Sequence, residues 1–229
     1  MKRLGTLALH LCALTGLGLL VPACGGKNHD DGGGAGGSFS ATPLFSEEFS
    51  GAFPGTAWSP PGSGGMVQVD ATTGNPAPSL LMTTTTRPAF VATSTTMTFN
   101  SQPMTVSVRM SASGTGDGSG GVGIFNSTGN PVAAAEWHAA TPSALTFSIL
   151  GATNPTPVAA PLLNSGFHTF TFSVDASGSA AWSIDGTPVM TLSGFPAGQM
   201  RVELYDFVPA GAGTTFATFR FDNVTVTSP

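Results

Sequence analysis

Charge is what this chain has least of. Only 8% of its 229 residues are Asp, Glu, Lys or Arg, against about 25% in an average soluble protein. Lysine occurs only at Lys2 and Lys27, tyrosine only at Tyr205 and cysteine only at Cys12 and Cys24. Seven basic residues stand against 12 acidic ones, a net charge of −5. No basic patch exists to meet phosphates, which excludes a nucleic-acid partner. The shortage of Glu and Lys, with 31 Gly and 18 Pro, excludes a helical bundle or a coiled coil. No Ser–His–Asp elbow, P-loop, H-E-x-x-H or dinucleotide fingerprint is present. What is present is apolar mass: 41% hydrophobic residues including 16 Phe, too aromatic for a disordered chain.

The N-terminus reads as an address. Lys2 and Arg3 precede an uncharged apolar run from Leu4 to Val21, the order of a basic and then an apolar region in an export signal. Val21-Pro22-Ala23-Cys24-Gly25 resembles the lipobox of bacterial lipoproteins. That resemblance implies cleavage before Cys24, a diacylglycerol on its thiol and acylation of the new amino group. Gly25, not Asp, follows the cysteine, and by resemblance to lipoprotein sorting this implies the outer membrane. Cys12 leaves with the signal, so the body carries no thiol for a disulfide, a metal or nucleophilic attack. Two or three acyl chains anchor stably where one binds marginally. Residues 24–42 then read as the lipidated cysteine and a Gly-rich tether, with a random-coil reach of roughly 20–25 Å.

Residues 43–229 read as one all-β domain. Met104, Val106, Val108 and Met110 alternate with polar residues, and so do Leu145, Phe147 and Ile149, Phe170, Phe172 and Val174, and Met200, Val202 and Leu204. Period two marks a strand with one buried face, and Thr is the commonest outward residue. Asp185-Gly186 predicts a tight hairpin. Ser113 to Gly121 reads as a Gly-rich loop. Phe219 and Phe221 share one parity and Val224 and Val226 the other, which predicts a β-bulge at Asp222-Asn223. About a dozen strands without an internal repeat predict a two-layer sandwich.

Four stretches carry a family likeness: Leu44–Phe49 followed by Trp58; Gly121–Phe125; Phe167–Asp175 with Trp182–Gly186; and Phe219–Val224. In this order they resemble the concanavalin A-like lectin/glucanase superfamily, LamG-like domains included. The resemblance implies an antiparallel jelly-roll sandwich and a sugar-binding concave sheet. Glycosidases of the superfamily space their carboxylates E-x-D-x-x-E, and that spacing is absent here. Glu203 and Asp206 come nearest, but alternation sends them to opposite faces, and they read as a solvated strand end.

Glu136 and His138 share a face because they flank Trp137 on a candidate strand. A carboxylate beside an imidazole suits ligand binding or acid–base chemistry; an exposed polar pair is the plainer alternative. Tyr205 shares the parity of Arg201 and Glu203 and is the best candidate for an exposed sugar-stacking ring. Trp182 reads as core, Trp58 as a cap on the sandwich, and His168 as a satisfied, partly buried imidazole; if Trp137 points inward, Glu136 and His138 point to solvent. Asp117, alone among glycines, is a poor start for a calcium site, which wants six to eight oxygens. Calcium stays open, and no other cofactor is expected.

The expectation is an outer-membrane lipoprotein whose sandwich binds a glycan or another envelope component without catalysis. Two alternatives remain: a glycoside hydrolase or lyase on the same fold, and a structural envelope protein without a small ligand.

Overall fold

The computed structural model describes residues 43–59, 65–84, 90–93, 97–99, 103–114, 118–139, 144–154, 158–159, 166–207 and 217–228. All belong to the compact unit of residues 39–229. The lipobox, the tether and Asp117 lie outside the described residues.

Every regular element among the described residues is a strand. In chain order they are β1 (Pro43–Glu47), β2 (Gly65–Asp70), β3 (Ser79–Thr84), β4 (Phe90–Thr93), β5 (Met97–Phe99) and β6 (Met104–Ser113). Next come β7 (Ser119–Asn126), β8 (Pro131–His138), β9 (Ala144–Ile149), β10 (Ala152–Thr153) and β11 (Val158–Ala159). The last five are β12 (His168–Val174), β13 (Ala180–Ile184), β14 (Thr187–Leu192), β15 (Gly198–Phe207) and β16 (Thr218–Thr227). These 16 exceed the dozen expected because several short strands pair along one long neighbour. The first sheet runs β14-β13-β12-β6-β16-β3-β2, with β1 also on β16. The second runs β10-β9-β8-β7-β15-β4, with β11 on β9 and β5 on β15. All pairings are antiparallel.

Alternation decides what lies between the sheets. β6 alternates buried and half-exposed residues along its whole length, and β12 and β13 do the same. Each strand therefore turns its apolar set inward and its Thr and Ser outward. Trp137 and Trp182 are core residues. Trp58 packs on Phe45, Phe49 and Phe53 and donates its indole N–H to Glu47 Oε2 at 3.3 Å, capping one end as expected. The Gly-rich connection is shorter than its sequence suggested, because pairing on β7 begins at Ser119.

The phase slip in β16 is a bulge. Register shifts between Asp222 and Thr225, and Asn223 takes the left-handed φ of 48°, a region Asn tolerates better than most residues. Phe219, Phe221, Val224 and Val226 all reach the core in consequence. Asp185 and Gly186, with φ of 49° and 79°, form the hairpin between β13 and β14, both central residues left-handed as a two-residue turn requires.

Two carboxylates tie loops to this frame. Asp70 accepts from the Thr72 hydroxyl and from the Thr72 and Thr73 amides. The Thr72 hydroxyl leads in holding its carboxyl far below the usual range. Burial pushes Asp185 up, but the His168 imidazole at 2.6 Å, the Thr169 amide and Arg109 outweigh it and leave it lowered. A folded pKa below the unfolded one gives stability that is complete above the unfolded value, about 3.9, and lost as pH falls through the folded one. Denaturation midpoints should therefore hold steady from pH 7 to about 4 and drop below it. An Asp185→Asn variant should show a shallower acid drop than the parent; an equal slope would remove Asp185 from this account.

Candidate functional site

The residues of interest lie on the outer face of the second sheet, where β8, β7 and β15 run side by side. Directly paired residues in an antiparallel ladder share a face. Gly121 on β7 stands opposite Glu136 on one side and Tyr205 on the other. Because Gly121 has no side chain, Glu136 and Tyr205 meet across it, and the Tyr205 hydroxyl donates to the Glu136 carboxylate. Burial first, then the Glu136 charge and hydrogen bond, then Glu203, push this hydroxyl well above the ordinary tyrosine value. Tyr205 is therefore a neutral donor at any physiological pH.

One step along the strands, Gly123 lies between Ala134 and Glu203. The Phe125 ring occupies the space over it, since a methyl group on Gly123 would sit 2.5 Å from Phe125 Cε2. Arg201 stands opposite Phe125, with its guanidinium carbon 6.0 Å from the ring centroid. Its Nε and Nη2 both donate to Glu203 Oε1, each at 2.6 Å. A small recess of about 90 Å³ formed with Asn126, Ser127 and Gln199 adjoins Arg201. At the other end His138 faces Ser119 across the β7–β8 ladder. Ser119 is 1% exposed, and its hydroxyl has no hydrogen-bond partner among the described residues.

Glu136 and His138 do share the outer face, with Trp137 buried between them. Tyr205 has the expected parity but not the expected exposure: it is 9% exposed. Its hydroxyl is engaged with Glu136, so its ring is a fixed donor and not a stacking platform. Glu203 and Asp206 occupy opposite faces as expected, yet they are no solvated strand end, being 5% and 0% exposed. Asp206 is still paired, to Gly120 and to Phe90. His168 belongs to the first sheet and takes no part. Among the described residues no three His, Cys, Asp or Glu side chains are placed to hold a metal ion.

Four contributors were not singled out from the sequence as site residues. Arg201 and Glu203, two apart, were bound to share a face, and that spacing was the available signal. Phe125 gave none, since its place over Gly123 depends on the flanking glycines. Ser119 was invisible, because its position opposite His138 is a matter of register.

No protein-family model matches the sequence, and no curated protein matches it either. Solved structures do. A cellulose-induced protein, Cip1, superposes with a TM-score of 0.62 at 14% identity, over 81% of this chain and 97% of that one. A Bacillus licheniformis β-glucanase gives 0.58 at 15% identity, over 81% and 98%. An alginate lyase from Corynebacterium sp. gives 0.58 at 13% identity, over 76% and 95%. At such identities the likeness is one of fold. The chain is an all-β, two-sheet antiparallel jelly-roll sandwich of the concanavalin A-like kind.

Proposed function

We propose that this protein is an envelope lipoprotein whose sandwich binds a glycan, without cleaving it, on the outer face of its second sheet. One observation carries the binding half of this reading. The row Glu136–Gly121–Tyr205, with the half-exposed Phe125 ring beside it, joins a fixed donor and acceptor to an apolar ring face. Sugars present that same mixture, hydroxyls on the rim and C–H groups on the ring face, and binding sites pair a few placed polar groups with aromatic walls. The fold supports it too, since glucanases and lyases are among the proteins that share it.

The non-catalytic half rests on what each group is already doing. Hydrolysis of a glycosidic bond takes two carboxyl groups, one acid and one base or nucleophile. Glu203 is buried against Arg201, and Tyr205 is engaged as a neutral donor to Glu136. Among the described residues of this face, Glu136 remains as a single carboxylate. Anchoring through Cys24 and residence in the outer membrane rest on the lipobox resemblance alone; loss of palmitate labelling in a Cys24→Ser variant would be the direct check.

The test of binding is affinity electrophoresis through gels containing soluble polysaccharides. At least one polysaccharide should retard the parent protein. Glu136→Ala and Phe125→Ala should each weaken that retardation by roughly 10-fold, the scale of one hydrogen bond to a charged group. Chain length of the polysaccharide should be unchanged after incubation. Release of new reducing or unsaturated ends would replace the binding reading with the enzymatic one.

A further inference from the structure

Resting on the glycan-binding reading, we infer that the site takes uncharged sugars and rejects uronates, and that Glu203 sets this preference by occupying Arg201. A sugar carboxylate is recognised by a cation whose donors are free to fork onto it. Among the described residues, one cation lies on the outer face of the second sheet, and it is Arg201. Its Nε and Nη2 both reach Glu203 Oε1 at 2.6 Å, so its charge is paired and its Nε–Nη2 edge is taken. The two other described cations are on the first sheet: Arg109 on β6 donates to the Asn75 carbonyl, and Arg220 on β16 lies 3.5 Å from Asp70.

The remaining charge on this face has the wrong sign for an acid. Arg201 and Glu203 cancel, and Glu136 leaves one net negative charge where the ligand would sit. A uronate placed there meets a like charge, and no unpaired arginine or lysine among the described residues offsets it, which costs a factor of 10 or more in affinity. A hydroxyl meets no such penalty. It accepts from or donates to the same groups, and the apolar face of a neutral ring covers Phe125. β-Elimination from a uronate also needs its carboxylate neutralised, so the arrangement disfavours lyase chemistry for the same reason.

The experiment uses the full chain in detergent and a matched pair of polymers, polygalacturonate and its methyl ester, together with laminarin and hydroxyethyl cellulose. Esterification removes the charge and leaves the backbone intact. The parent should bind the ester at least about 10-fold more tightly than the free acid at 50 mM salt. A Glu203→Gln variant should gain about 10-fold or more toward the acid, a gain that disappears at 500 mM salt and in the Glu203→Gln, Arg201→Gln double variant. Equal or tighter binding of the acid by the parent overturns the inference and leaves the glycan reading standing. Binding of none of the four polymers overturns the glycan reading, and the inference with it. Should the Glu203 variant fail to fold, the ester-to-acid ratio of the parent still decides the matter.

Discussion

Replacing Trp182 with alanine is expected to destabilise the sandwich by roughly 3–5 kcal/mol, a large part of the 5–15 kcal/mol that holds a typical domain. Trp182 is 1% exposed. Its ring centroid lies 5.1 Å from that of Phe172 on β12, in its own sheet, and 5.9 Å from that of Phe147 on β9, in the opposite one. Its indole N–H donates to the Ser148 carbonyl, also on β9, at 3.1 Å. One side chain thus fastens the two layers by packing and by a hydrogen bond at once. Truncation empties a volume that rigid neighbouring rings cannot refill, and leaves a carbonyl without its donor. Trp182→Phe should cost less, about 1–2 kcal/mol, because most of the ring volume survives and the hydrogen bond does not. Urea denaturation of the three proteins measures this directly. An alanine variant within about 1 kcal/mol of the parent would show that the layers are joined elsewhere.

Trp182 also shows why so much of the fold could be read from the sequence. Its parity with Ile184 already put it inside, and a period of two is a property of the chain alone. The same holds for β6, β12 and the bulge at Asn223, where Phe219–Phe221 and Val224–Val226 announce a change of phase. Asp185-Gly186 was legible because a two-residue hairpin needs left-handed backbone at both positions. Strand number was less so. Short pieces such as β10 and β11 have too few residues to show alternation and exist only because β9 offers them an edge.

The site was legible by face and not by depth. Alternation put Glu136 with His138, and Tyr205 with Arg201 and Glu203, correctly in each case. It could not tell that Tyr205 and Glu203 are buried, because depth on a face depends on neighbours distant in sequence, and β15 meets β7 and β4 only through long-range pairing. Nor could it bring Glu136 to Tyr205, 69 positions apart in the sequence. That meeting requires β7 between them with a glycine at the shared rung. The polar groups of this face are joined by register, and register is fixed by the core on the other side of the sheet.

Two glycines on β7 separate what that face needs for folding from what it needs for binding. A methyl group at Gly121 would lie 1.9 Å from the carbonyl oxygen of Ala135 and 3.0 Å from its carbon. Both atoms are main chain of the adjoining strand β8, which is itself paired on its far side to β9. Nothing there can swing aside, so Gly121→Ala should force β7 and β8 apart at the center of the sheet. The expected loss is about 3 kcal/mol or more, at the upper end of what overpacking costs. At Gly123 the three atoms nearest the same methyl group all belong to the half-exposed Phe125 ring, Cε2 at 2.5 Å, Cδ2 at 3.3 Å and Cζ at 3.4 Å. The ring can rotate away, and Gly123→Ala should cost under about 1.5 kcal/mol. The displaced ring, however, no longer covers the rung between Ala134 and Glu203. Binding of the retarding polysaccharide should therefore fall roughly 10-fold, as in Phe125→Ala, the scale of one lost aromatic contact. Melting curves and affinity electrophoresis on the two variants read the two effects separately. If Gly123→Ala folds and binds like the parent, the Phe125 ring is no part of the sugar surface, and the polar row must act without it. If Gly121→Ala is as stable as the parent, β7 and β8 do not approach as closely as the Glu136–Tyr205 contact requires.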